Sequence, residues 1–397
     1  MNDSTTGIPA REELVARAEA LGPLIREHAP KTEADRRVPD QVIDALSEAG
    51  LFKLSTPRRY GGYESGMRAM LDVSAAVARA DGSTGWVVAL VNVCNYMAGL
   101  FPVRSQDEVF GADPEAKVTG VLSPTASSVK VDGGWKVNGR WYYNSGSWHS
   151  SWALLGIPVT DAGGEVVDQG LALVPRADLQ IEDTWFVAGM RGTASNALIA
   201  EDVFVPEHRV ISVPAAVEGE FGTEMGDEEL YRSAFIPVLA LVLIGPQLGL
   251  GRAALDYVIE RAGKKPISYT FYETQSSSVG VQLQIAEAAQ LIDTARLHAE
   301  RAAAVIDHYA AVGTQPDLVT RARVRADTGW VVKNTLAALG ILLDVHGAGS
   351  FAEVNPLQRI WRDANVGGRH AIAAPEVALE VYGKALLGIE EQITPLI

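Results

Sequence analysis

One histidine, His370, stands in the segment RDANVGGRHAIAAPE (residues 362–376), after two arginines and before an alanine-rich run. Imidazole titrates near neutral pH, so a histidine in this place can serve as the base of an active site whose other parts lie far away in the chain. A lone histidine packed behind a helical bundle is often structural instead. A second string, NGRWYYNSGSWHSSW (138–152), carries Ser145 and His149 among aromatic residues. Asn144-Ser145-Gly146 is strong turn chemistry, Tyr143 alternates with Trp141 as a core aromatic of a strand would, and His149 can cap a strand. The seven histidines contain no His-Glu-x-x-His, and there is no Cys-x-x-Cys, so no metal site is expected.

The chain that must position these residues has 397 of them, enough for a large core and more than one domain. Acidic residues outnumber basic ones 49 to 34, a formal net charge of -15. Such a field repels phosphate backbones and anionic lipid surfaces, so neither nucleic acid nor membrane is expected as a partner. Cys94 is the only cysteine, which excludes an intrachain disulfide and suits a reducing cytoplasm. The opening MNDSTTGIPAREELVARAE is polar and does not read as a signal peptide. Ala234 to Gly251 carries no charge, but Pro237, Gly245, Pro246 and Gln247 interrupt it. A helix buried on all sides explains it better than a membrane span.

Three regions follow from texture. Residues 1–115 read as helices; VPDQVIDALSEAG shows the pattern, with Val42, Ile43 and Leu46 on one face and Gly50 at the end. Residues 116–227 read as a β domain, with hairpin signals at Gly133-Gly134 and Asn138-Gly139 and strands in WALLGIPV, GLALVP and NALIAEDVFVP. Residues 228–397 return to helical periodicity, as a bundle of about four long helices. The acidic stretch 214–229 reads as a flexible loop. Two G-x-G-x-x-A strings, at Gly249 and Gly347, follow helical sequence rather than strands, so no dinucleotide fingerprint is assigned.

Four strings together resemble the acyl-CoA dehydrogenase superfamily: TPRRYGG (56–62), WFVAGMRGTASNALIAEDVFVP (185–206), LGLGRAALDYVIERA (248–262) and NPLQRIWRDANVG (355–367). Singly each has a plain reading: a turn, a loop, close helix packing, an Arg362–Asp363 ion pair. They occur in family order over nearly the whole chain. The resemblance implies a mainly α fold with a central β domain: an N-terminal helical domain, a β-barrel-like middle domain and a C-terminal four-helix bundle. It also implies a flavin in the cleft between them and a homotetramer.

Dehydrogenases of this family place a glutamate base at one of two positions, which here fall at Ala371 and near Leu239. Neither is acidic, so dehydrogenation is disfavoured. A histidine at this place resembles instead the two-component flavin-dependent monooxygenases (group D hydroxylases), and 138–152 is similar to those acting on phenols. Such enzymes receive reduced flavin, FMN or FAD, from a separate NAD(P)H-dependent flavin reductase and add dioxygen to it. The flavin hydroperoxide then oxygenates a small cyclic, aromatic or amine substrate. By this resemblance His370 is the base, and Ser145 meets the ring nitrogen beside the oxygen-bearing carbon. Tyr143 packs on the flavin ring and Ser123 borders its edge. Lys265, Gly347 and Gly349 approach the phosphates. Trp86, Asn95 and Tyr96, on a helix over the flavin, and His149 are candidates to line the substrate site, though ordinary packing explains each. The reading is thus a cytoplasmic aromatic hydroxylase. Its rivals are an amine N-hydroxylase that tolerates loss of His370, an atypical dehydrogenase, and a non-catalytic scaffold.

Overall fold

The computed structural model describes residues 8–397. Six helices come first: α1 (Arg11–Ala20), α2 (Gly22–Asp35), α3 (Asp40–Glu48), α4 (Met67–Ala78), α5 (Gly82–Gly99) and the short α6 (Val103–Gln106). Of these, α5 is apolar nearly all round and almost wholly buried, as such a helix must be. The Asp81 carboxylate starts it by accepting from the Thr84 amide at 2.9 Å.

Eight strands follow: β1 (Val118–Val121), β2 (Ala126–Val131), β3 (Gly134–Asn144), β4 (Trp152–Thr160), β5 (Val166–Pro175), β6 (Gln180–Glu182), β7 (Asn196–Pro206) and β8 (Val210–Ser212). They form two four-stranded sheets, ordered β1-β4-β5-β8 and β2-β3-β7-β6. Among the described residues only the β1–β4 pair is parallel. Alternate residues of facing strands fill the space between the sheets, led by Trp135, Trp141, Leu155, Ile157 and Leu198. Trp141 is fully buried, and its indole N–H donates to the Gly156 carbonyl at 2.8 Å.

Gly133 makes the expected β2–β3 turn, with φ +74°. Asn138-Gly139 does not turn the chain. It sits inside β3 at a register shift against β7, where the Asn138 carboxamide is paired to Asp202 at 2.9 and 2.8 Å. The extra residue of that shift lies on β7, where Glu201 and Asp202 stand opposite Asn138 and Asp202 takes φ +51°, so the bulge is in β7 and the side-chain pairing bridges it. A second shift, between Trp141 and Asn144, puts Tyr143 at φ +71° and turns its ring outward.

The chain ends in α7 (Val213–Val217), α8 (Phe235–Leu241), α9 (Gly245–Ala262), α10 (Val279–Val312), α11 (Leu318–His346), α12 (Pro356–Gly367) and α13 (Pro375–Leu386). The stretch expected to be an open loop from 214 instead begins with α7, because the Ser212 hydroxyl accepts from the Ala215 amide at 3.2 Å and Pro214 presets the first turn. The charge-free segment is α8, one tight turn and the start of α9. The helical run 235–262 has an apolar window that is 89% buried within the protein, which accounts for its composition without a bilayer.

The small residues of GLGRAA serve packing. A Cβ on Gly249 would lie 2.3 Å from the Ala75 carbonyl oxygen and 2.8 Å from Ala78 Cβ. A backbone carbonyl on α4 cannot yield as a flexible side chain would. Gly249→Ala should therefore cost about 1–3 kcal/mol, despite alanine's better helix propensity. Urea denaturation measures it, and an unchanged or raised midpoint would show that the α4–α9 contact is looser than this geometry.

Candidate active site

A cavity of about 470 Å³ opens where α5, the bulged end of β3, the loop 185–195, α8 and the segment after α12 meet. From α5 it takes Trp86, Leu90, Val93, Cys94 and Met97, one stripe at helical spacing. Leu239, Val242 and Leu243 face them from the broken helix. Burial pushes the Cys94 thiol up to about 12, so it is an uncharged wall residue.

The polar wall comes from GMRGTAS. Met190 and Ala194 adopt left-handed backbone, φ +54° and +48°, which a side chain rarely favours. Contacts from elsewhere hold them there. The Asp363 carboxyl on α12 accepts from the Met190 amide at 2.5 Å. The Trp185 indole donates to the Met190 carbonyl at 2.8 Å. Ser83 accepts from the Gly192 amide at 3.2 Å. Gly189 lets α12 approach, since a Cβ there would lie 2.4 Å from the Arg362 carbonyl carbon. Arg362 and Asp363 are not each other's partner, contrary to the ion-pair expectation. They leave α12 in different directions, and Arg362 binds Glu33 at 2.6 Å while Asp363 faces the loop.

This loop brings the Thr193 and Ser195 hydroxyls to the cavity, where they meet that of Ser145 just past the end of β3. Ser145 and Ser195 oxygens are 2.8 Å apart, and Ser195 and Thr193 oxygens 2.7 Å. The Trp86 indole donates to Ser145 at 3.1 Å, and Thr193 donates to the Met190 carbonyl at 2.9 Å. His370 lies across the cavity, its ring centroid 6.1 Å from that of Trp86. Burial pushes its imidazole down to about 4, so it is uncharged near neutral pH. Its Nδ1 accepts from the Ile372 amide at 3.3 Å. Arg369 is the one cationic side chain on the wall, bonded to Asn365 and to no carboxylate among the described residues. Ala371 and Leu239 both line the cavity, and among the described residues no Asp or Glu does. The wall thus carries no carboxylate base at either family position.

Other expected site residues scatter. Tyr143 lines the cavity, 70% exposed and edge-on to Trp185 at 5.9 Å, so it is not a core aromatic. Ser123 is exposed in the bend just past Leu122, which does line the cavity. Asn95 and Tyr96 do not line it. The Asn95 carboxamide binds the Phe52 and Ala116 carbonyls at 3.1 and 3.2 Å, and the Tyr96 hydroxyl donates to the Ser233 carbonyl at 3.0 Å. Both sit one step around α5 from the lining stripe and satisfy the buried backbone behind it. His149 is buried against α3, with Nδ1 3.6 Å from Asp40, and is off the cavity too. Lys265, Gly347 and Gly349 do come together: the lysine donates to the His346 carbonyl, and Gly347 has φ +78°. His346 Nδ1 and Gln275 Oε1 are buried there without partners among the described residues. None of this cluster lines the cavity.

An apolar, aromatic-rimmed slot with one hydroxyl wall and a distal basic, glycine-containing cluster fits a flavin ring better than a thioester base site. The comparisons agree. Residues 15–102 match the family described as acyl-CoA dehydrogenase, N-terminal domain, and residues 241–375 match acyl-CoA dehydrogenase, C-terminal domain. The chain belongs to the acyl-CoA dehydrogenase family. Within it, the chain groups with the flavin-dependent monooxygenases as an oxygenase component. It is 36% identical over 376 residues to the oxygenase subunit HsaA of a flavin-dependent monooxygenase from Rhodococcus jostii, covering 94% of this chain and 98% of that one. It is 30% identical to the oxygenase component of an FADH(2)-dependent resorcinol hydroxylase from a Rhizobium species, covering 95% and 94%. XiaF from a Streptomyces species, solved with FADH2 and glycerol, superposes with a TM-score of 0.92 at 38% identity over 97% of both chains.

Burial, and then the neighbouring Asp81, raise the Asp363 carboxyl to about 7. The folded group therefore holds its proton more tightly than an unfolded aspartate. Its stabilising share is complete below about pH 4 and is lost as pH rises through about 7. Asp363→Asn keeps an acceptor for Met190 without the charge. Its stability relative to the unsubstituted protein should rise between about pH 4 and about pH 7, read from urea midpoints. A constant difference across that range would show that Asp363 stays ionised.

Proposed function

We propose that this monooxygenase hydroxylates a small phenolic substrate, using FADH2 delivered by a separate NAD(P)H-dependent reductase. The observation that carries the reading is a cavity whose wall holds His370, Arg369 and three hydroxyls but no carboxylate. The name of one relative at 30% identity, a resorcinol hydroxylase, supports an aromatic substrate, and a neighbour at 38% identity solved with FADH2 supports FAD over FMN. When bound, reduced flavin supplies the electrons that activate dioxygen.

The chain's own part begins at the phenolic oxygen. Nδ1 of His370 is occupied by the Ile372 amide and burial keeps the ring neutral, so its proton sits on Nε2. Among the described residues Nε2 has no partner, and it meets the substrate oxygen as a donor. The phenolic proton passes to solvent water at the open rim beside Tyr143, a bond from Nε2 stabilises the oxygen it leaves, and the Arg369 charge acts in the same sense. To act as a free base at Nε2, His370 must move its proton to Nδ1 and give up the weak Ile372 contact. Trp86 and Tyr143 offer aromatic surface to a planar ligand. Lys265, Gly347 and Gly349 lie off the cavity, so we assign them to the phosphate end of a flavin held by another subunit of a homotetramer. The protein works in the cytoplasm on this reading.

The test supplies purified protein with FAD, NADH, an unrelated flavin reductase and isotopically heavy dioxygen. One labelled oxygen should enter a phenol. Label-free product, or flavin reduction by an acyl-CoA under anaerobic conditions, would sink the reading. His370→Ala should lower hydroxylation of ordinary phenols by roughly 100-fold. The loss should shrink for phenols already ionised at the assay pH, and an equal loss for both would remove His370 from phenol activation. Because the ring is neutral well below pH 6, the rate should show no inflection near His370's ordinary pKa of about 6.5.

A further inference from the structure

The hydroxyl wall has a fixed polarity, because each end of the chain of bonds admits only one direction. An indole N–H can only donate, so Ser145 accepts from Trp86. A carbonyl can only accept, so Thr193 spends its proton on Met190. Thr193 then has no proton for Ser195, and Ser195 must donate to Thr193 across 2.7 Å. By the same count Ser145 donates to Ser195 across 2.8 Å. Every proton of the three hydroxyls is committed within the wall. All three side chains are buried and all three line the cavity. What they present to an occupant is lone pairs alone.

We propose that this polarised run, Trp86→Ser145→Ser195→Thr193→Met190, makes the site discriminate reduced from oxidised flavin. The inference rests on the reading that Ser145 faces the central flavin ring. In the reduced ring the nitrogen beside the oxygen-reactive carbon carries a hydrogen and can donate; in the oxidised ring it bears only a lone pair. An acceptor-only wall bonds the first and opposes the second with lone pair against lone pair. Ser195 and Thr193 are then positioning residues that act through Ser145. The consequence suits an oxygenase that must capture its flavin reduced and let it go oxidised.

Anaerobic titration calorimetry with oxidised and dithionite-reduced FAD tests this without turnover. The unsubstituted protein should bind the reduced form at least about tenfold more tightly, the scale of one hydrogen bond against one unpaired buried group. Ser195→Ala removes the acceptor for Ser145, whose hydroxyl can then rotate and donate to the cavity. Affinity for oxidised FAD should rise, and the reduced-to-oxidised ratio should fall several-fold. Ser195→Thr keeps the hydroxyl and should keep the ratio. Should Ser195→Ala fail to fold, Thr193→Val frees the Ser195 proton and allows the same reversal. An unchanged ratio in a folded Ser195→Ala or Thr193→Val protein overturns the proposal, as does an unsubstituted protein without preference. Failure to bind FAD in either state would instead overturn the flavin reading on which it rests.

Discussion

The bond from the Met190 amide to the Asp363 carboxyl joins the helical bundle to the β domain where the polar wall of the cavity begins. Around it the start of α5, the loop 185–195 and α12 approach too closely for side chains, at Gly82 and Gly189. Asp363 lies beside the α5 N-terminus, whose helix dipole favours negative charge. Without an acceptor there, Met190 has no reason to remain left-handed, and Thr193 and Ser195 lose their aim. The site is thus assembled by docking between domains rather than within one element. A buried, partly protonated carboxyl is a costly way to make that joint, and the cost falls where the geometry of the hydroxyls is decided.

The cavity itself shows what the chain has arranged not to do. Both places where a carboxylate would serve proton abstraction beside a thioester are apolar and face the cavity. The imidazole that stands nearby is kept neutral by burial. Chemistry on such a wall must work through hydrogen bonds and one peripheral cation. That is compatible with activating a hydroxyl group already acidic by nature, and unsuited to drawing a proton from carbon.

The architecture was legible because its signals are local. Short apolar and β-branched runs marked β4, β5 and β7, helical spacing marked α3, and the charge-free stretch proved to be buried helix. His370, Ser145, Tyr143 and Trp86 were singled out by the family resemblance, and all four line one cavity. Asn95 and Tyr96 were misplaced although the spacing held the answer: Trp86, Leu90, Val93, Cys94 and Met97 share a face that excludes both. Thr193, Ser195 and Arg369 had no comparable signal. The first two depend on backbone angles imposed by a carboxyl 173 residues away, and no local propensity announces a left-handed methionine. Asn138-Gly139 failed for a related reason, since its pairing with Asp202 belongs to a strand it had not yet met.

The bulge before Asn144 gives the β3 strand a parity. Up to Trp141 β3 itself alternates inward and outward, and the extra residue that follows shifts the phase by one. Ser145 faces the cavity because of that offset. In an evolving lineage, the stretch 142–146 can therefore exchange residues more freely than it can change length. A single insertion or deletion there would leave every residue type in place yet exchange the sides, burying the aromatic and expelling the hydroxyl.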